Sequence, residues 1–265
     1  MRDKCRWVAV VALSGIAMVS AAQPVPAARA ATASNDEGPR VDPKATDLLK
    51  KMSDYLGSQK AFTVHASFSE EMILVNGQKI EYESSSQLSL RRPDRFRADR
   101  HGVKENLTLY YDGKTMTLFQ KGPNFYAVQA GPPTVDEMLD YLITTLNTDI
   151  PGSDLLLVDS YDGLIDGTTD ANDFGQEDVG GFPTHHLAFR NHDVDWQIWI
   201  QDGDKPLPLK YVITTKWTTG MPSYTVFLTD WDMSPHLDDA TFTFVPSAGA
   251  QKIDYVRPSD LQAAH

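Results

Sequence analysis

The sequence predicts an α+β domain in which about nine to eleven antiparallel strands form one curved sheet with two principal helices on one side. Three observations predict it. From residue 61 onward, apolar and polar residues alternate with a period of two, as half-buried strands require. The pairs Asn76-Gly77 and Asp112-Gly113 fall between such runs, where antiparallel hairpins need tight turns. Two stretches alone, 43–57 and 134–147, carry strong helical spacing with matching start signals.

The first helix is announced by Asp42 as N-cap and Pro43 at the first helical position. Leu48, Leu49, Met52, Tyr55 and Leu56 give it one apolar face, and Gly57 reads as its stop. Phe62, Val64, Ala66 and Phe68 then share one strand face. In the next strand, Ile80, Tyr82, Ser84, Ser86, Leu88 and Leu90 share a face, and Arg91-Arg92-Pro93-Asp94 breaks the run. Residues 107–111 and 114–119 form a second hairpin, and 125–129 adds a strand. Thr134 and Glu137 make a capping box for the second helix, whose apolar side is Met138, Leu139, Tyr141, Leu142 and Leu146. The acidic, glycine-rich stretch 159–181 reads as a loop with one short strand. Strands are expected at 182–190, 194–201, 208–217 and 223–231, with a last short one at Phe242 and Phe244. No internal repeat period appears.

Composition narrows the function classes. The 265 residues include 24 Lys+Arg and 36 Asp+Glu, a net charge of −12, and 41% are hydrophobic. Such a chain can bury a core, and its acid excess argues against binding nucleic acid or an anionic membrane surface. Arg2, Lys4 and Arg6 precede an apolar run from Trp7 to Ser20 and then small residues, the order of an export signal. Cleavage sites of the A-x-A kind end at Ala22 or Ala30. The expected organisation is a signal peptide at 1–30, a flexible leader at 31–43, a folded domain at 44–255 and a C-terminal tail at 256–265, giving a periplasmic monomer without a transmembrane helix. Cys5 precedes the apolar run, so the mature chain has no cysteine and no thiol chemistry.

A curved sheet must cover its apolar inner face, either by tight packing or by closing over a hollow. Ser84 and Ser86 share parity with Tyr82 and Leu88, which fits either a wet edge strand or a lined cavity for an apolar ligand. Counting parity from Ile80 places Arg92 at the rim of the same face. There its guanidinium either snorkels to water or holds carbonyls or a carboxylate of the covering helix.

Four stretches resemble the LolA-like superfamily, periplasmic carriers of outer-membrane lipoproteins. They are Phe62–Phe68, Leu88–Arg97 with its Arg-Arg-Pro-Asp centre, Tyr111-Asp112-Gly113-Lys114-Thr115-Met116, and Asp239–Pro246. Gly181–Phe189 followed by Asp195–Ile200 looks like a family of predicted periplasmic proteins of unknown function that shares this fold. The resemblance implies an open β half-barrel lidded by helices, an interior for acyl chains, and Arg92 as the latch of the lid. The expected partner is a hydrophobic ligand or acyl chain, free or carried on a lipoprotein. The expected lining is Phe62, Val64, Phe68, Tyr82, Leu88, Leu90, Phe96 and Leu142. Ser89 and Ala98 stand where LolA has tryptophans, so the fold transfers more readily than the cargo.

No catalytic residue, metal site or cofactor is expected. His185 and His186 point to opposite faces of a strand, and the aspartates at 159, 162, 166, 170 and 173 lack the EF-hand order. Neither a nucleophile elbow nor a phosphate-cradling loop is present. The rival readings are an envelope protein-interaction or sensing module with a filled interior, and, more remotely, a hydrolase of unrecognised chemistry.

Overall fold

The computed structural model describes residues 41–104, 106–146 and 150–255. The expected signal, all but the end of the expected leader, and the expected tail lie outside these residues. Helix α1 (Pro43–Ser58) begins as anticipated: the Asp42 carboxylate accepts from the Lys44 amide at 2.9 Å, and Pro43 opens the first turn. Gly57 does not end it, since the helix runs on to Ser58. A Cβ at position 57 would lie 2.1 Å from the Val158 carbonyl oxygen. Glycine is needed there because a second backbone passes directly against the helix.

Strands β1 (Ala61–Ile73), β2 (Lys79–Arg91), β3 (Arg95–Gly102), β4 (Asn106–Tyr111), β5 (Thr115–Gln120) and β6 (Phe125–Ala130) follow as a meander. The chain then forms α2 (Val135–Thr144), a 3-10 turn (Ser153–Leu156) and α3 (Ser160–Ile165). A second meander runs through β7 (Asp170–Val179), β8 (Phe182–Arg190), β9 (Val194–Gln201), β10 (Pro208–Thr215) and β11 (Ser223–Asp232). Short α4 (Asp239–Phe242) and β12 (Gln251–Lys252) complete the described chain.

All twelve described strands belong to one sheet, in the order β12-β6-β5-β4-β3-β2-β1-β11-β10-β9-β8-β7. The return of β11 to pair with β1 joins the two meanders, and every pairing between these strands is antiparallel except the short β12 beside β6. The sheet ends on β12 and β7 rather than closing, so it is an open half-barrel. Irregular register at Thr63/His65, Pro208/Lys210 and Asp173/Gln176 marks where the ladders bend.

Two departures from the sequence reading have clear causes. The stretch expected to be mostly loop, 159–181, holds α3 and the ten-residue β7. Backbone pairing with β8 recruits β7, while its charged side chains suit an edge strand and hid it from an apolar periodicity search. Phe242 and Phe244 are not a strand. Phe242 lies buried on α4, and Phe244 sits on the convex face among Tyr110, Phe119 and Tyr126, at ring distances of 5.4, 5.2 and 5.0 Å. Two aromatics spaced by two residues fit a strap over a sheet as well as a strand within it.

Candidate functional site

The concave face is divided in two. α1 packs against β7, β9, α3 and the 3-10 turn, and buries Leu49, Met52 and Leu56 completely. It therefore fills the half of the sheet built by the second meander. It supplies no residue to the cavity described below, so its expected role as part of a lid is corrected: α1 is a plug.

The other half is roofed but not filled. A cavity of about 650 Å³ is lined by six adjacent strands, β11, β1, β2, β3, β4 and β5, beneath α2 and the segment 150–156. Six neighbouring strands can face one space because the sheet curls around it. The roof contributes Leu139 and Leu142 from α2 and Leu155 and Leu156 from the 3-10 turn.

Cross-strand register sorts the floor into tiers. Phe96 and Met116 lie in one tier, flanked by fully buried Leu90 and Tyr111. Leu88, Ala98, Leu109 and Leu118 are successive partners in the next. Ser86, Arg100, Leu107 and Gln120 form the third. The cavity is thus apolar beneath the roof and becomes polar toward the β3–β4 turn, where Lys104, Asn106 and Gln120 are exposed.

Of the eight residues expected to line a hollow, Val64, Phe68, Leu88, Phe96 and Leu142 do face it. Phe62, Leu90 and Tyr82 do not. Phe62 is fully buried against Trp231, with ring centroids 5.4 Å apart, and its strand partner Leu90 is equally buried. Parity identified the correct face for both, but not that the sheet's end is packed solid. Tyr82 is half-buried, with the Lys104 ammonium 4.3 Å above its ring. Sequence reasoning missed the contributions of β4, β5 and β11, including Leu109, Met116 and Val226. Their alternation was visible, but which strands would adjoin was not.

Arg92 lies just beyond the end of β2 with its side chain 10% exposed. Its Nη2 donates to the Leu156 and Leu157 carbonyls at 2.9 and 3.3 Å, and its Nη1 is 3.6 Å from the Asp136 carboxylate on α2. Burial lowers its pKa, and Asp136 opposes that fall. Asp136 also accepts the Val158 amide at 3.0 Å. The roof is held further by the Val135 amide donating to the Pro93 carbonyl at 2.8 Å, and by the Tyr111 hydroxyl donating to the Pro132 and Thr134 carbonyls. Burial pushes the Tyr111 phenol up to about 12. One arginine therefore ties the sheet to both pieces of the roof.

Among the described residues, no group of three or more His, Cys, Asp or Glu is arranged to hold a metal, and no helix is long and apolar enough to cross a membrane. His186 stacks on Trp199 at 4.1 Å and contacts Glu177 at 2.9 Å, while His185 lies 3.4 Å from Asp202.

A half-barrel whose concave face is half plugged and half hollow defines a protein of the roofed-cavity class. The chain belongs to the family described as predicted periplasmic protein (DUF2092), whose model matches residues 45–256. No curated protein matches the chain. Similar solved structures include an uncharacterized conserved protein from Thermus thermophilus, at 13% identity and TM-score 0.48, covering 80% of this chain and 99% of that one. The Mycobacterium tuberculosis lipoprotein LppX shares 10% identity at TM-score 0.43, covering 74% and 100%. A LolA superfamily protein from Nitrosomonas europaea shares 11% at TM-score 0.39, covering 76% and 97%. Ligand and activity do not transfer across likenesses this distant.

Proposed function

We propose that the protein is an exported periplasmic carrier or binding protein for a hydrophobic or lipidated ligand, acting without catalysis or cofactor. The observation that carries this reading is the apolar cavity of about 650 Å³ under a roof tied by Arg92. Its volume falls in the range of small-molecule sites. Burying methylenes gains about 0.8 kcal/mol each, so a dozen would gain roughly 10 kcal/mol. Association itself costs on the order of 4–15 kcal/mol, so long chains are favoured over short ones. Swinging the roof away from the sheet would widen the cavity for entry and release, and the Arg92 contacts set the preference for the closed state.

Native mass spectrometry and lipid extraction of protein purified from periplasm test the proposal, together with titration by a fluorescent fatty acid. A co-purifying lipid, or saturable probe binding, is expected. A clean protein that also ignores the probe would overturn it.

One feature favours a second reading, an interaction module in the envelope. On the convex face, Phe174, His186, Trp199, Lys210 and Phe227 make a continuous ladder of ring and cation contacts across β7 to β11. Phe174 and Phe227 are exposed. Cross-linking in the periplasm that recovers a partner through this face, from lipid-free protein, would favour that reading.

A further inference from the structure

The polarity of the cavity runs in one direction, from an apolar roof to a basic rim. Resting on the carrier reading, we infer that the cavity takes an anionic amphiphile, an acyl chain bearing a carboxylate or phosphate head. The tail lies under α2, and the head is held by Arg100 and Lys104.

Three independent features support the orientation. The tiers nearest the roof, built on Phe96 and Met116 and then on Leu88, Ala98, Leu109 and Leu118, carry no charge. A head group placed there would lose its hydration without compensation. The third tier and the turn beyond it bring Arg100 and Lys104 to the lining, beside Asn106 and Gln120. Among the described residues these two are the cavity's only charged lining, in a protein whose net charge is −12. The local cations must therefore act against the protein's general field, and they are placed where they contact the lumen directly.

Both cations are pre-positioned by aromatic rings. The Arg100 guanidinium carbon lies 5.0 Å from the Phe68 ring centroid, and the Lys104 ammonium lies 4.3 Å from that of Tyr82. Arg100 also donates to the Ser84 hydroxyl at 3.4 Å, and Lys104 pairs with Glu70 at 3.3 Å. The Glu70 side chain remains 41% exposed, so it can turn to water when a head group arrives.

Ser86 supplies the third feature. It is directly opposite Arg100 on the neighbouring strand, faces the cavity and is only 3% exposed. Its hydroxyl has no hydrogen-bond partner among the described residues. A buried hydroxyl without a partner is costly, and a polar atom of the ligand at this depth would satisfy it. The first polar atom of an amphiphile, its carboxyl or ester oxygen, reaches that level when the head lies between Arg100 and Lys104. Ser86 thus marks the boundary between tail and head.

The test compares chains of equal length and different heads: palmitate, 1-hexadecanol and methyl palmitate, each below its aggregation limit and above about pH 7, where the carboxylate is ionised. Displacement of a neutral fluorescent lipid reads their affinities for the full mature protein. Palmitate is expected to bind about tenfold more tightly than the other two, the equivalent of one charge-assisted contact of about 1.4 kcal/mol. Added salt should narrow this gap. The double variant Arg100→Gln/Lys104→Gln should remove the preference, and Ser86→Ala should weaken palmitate and methyl palmitate but not a plain alkane. Equal binding of all three heads to the unaltered protein would overturn the anionic assignment and leave the carrier reading standing. Binding of none would overturn both. Because the head-group comparison needs no variant, misfolding of a variant leaves the result decisive.

Discussion

Arg92 Nη2 donates to the carbonyl oxygen of Leu156 at 2.9 Å, joining the end of β2 to the 3-10 turn that closes the cavity. The two residues are 64 positions apart in sequence. The bond matters because the same guanidinium reaches Asp136 on α2, so the sheet and both roof elements meet at one side chain. Removing it would loosen both pieces together.

Arg92→Ala should therefore lower stability by about 2–3 kcal/mol, the range for a lost charge-assisted hydrogen bond that also leaves the Leu156 and Leu157 carbonyls without this donor. Arg92→Lys should recover part of this, because an ammonium lacks the forked geometry. Urea unfolding reads the stability. Hydrogen exchange at residues 153–158 should rise more than exchange in β1 or β2. A change below about 0.5 kcal/mol, typical of surface sites, would show that Arg92 does not hold the roof.

Gly57→Ala gives a prediction whose sign is in contest. In an exposed helix interior, alanine would gain about 1 kcal/mol over glycine. Here the added Cβ meets the Val158 carbonyl oxygen at 2.1 Å, and that atom belongs to backbone. Overpacking of this kind costs about 1–3 kcal/mol, so the variant should melt at a lower temperature than the parent. A higher melting temperature would mean that the segment at 158 yields easily.

Filling the cavity should abolish binding without loss of fold. Ala98 lies in the middle tier and is flanked by Leu88 and Leu109. Ala98→Trp should place a ring in the lumen, weaken a fluorescent fatty acid by about tenfold or more, and leave the far-ultraviolet circular dichroism unchanged. Undiminished probe affinity in a folded variant would place the binding site elsewhere.

Acid should destabilise the strap side of the sheet. Burial pushes the Asp99 carboxyl up, but the Arg97 guanidinium and the Thr108 hydroxyl more than reverse this, so it lies below its ordinary value. Arg97 bonds it at 2.7 and 3.2 Å, and Thr108 at 2.8 Å. Because the folded-state pKa is depressed, the stabilisation is present above the ordinary carboxylate pKa and is lost as pH falls through the lower folded value. Asp99→Asn should flatten part of the acid limb of a stability–pH curve. Curves that remain parallel down that limb would rule out this contribution.

Much of the architecture was legible in residue order alone. Period-two alternation set β1 and β2, and the expected limits of β8 and β9 agree with those observed. The capping signals at Asp42 and Thr134 act as anticipated, with the Thr134 hydroxyl accepting the Glu137 amide at 3.2 Å. Local rules suffice there because these features depend on residues within a few positions of one another. Parity also brought Arg92 to the concave rim, since a strand's alternation persists to its end.

The tertiary structure decided what local pattern cannot encode. Nothing in the spacing of Leu49, Met52 and Leu56 says which half of a curved sheet their helix will cover; packing of α1 against β7 and β9 makes it a plug. Nothing in Phe62 and Leu90 separates a core pair from cavity lining. That depends on Trp231, which reaches Phe62 from a strand far along the chain. The sequence determined the sheet, its greasy face and the charge at its rim. The long-range pairing of β11 with β1 determined where that face is filled and where it stays hollow, because burial depends on neighbours in space that no short window of sequence contains.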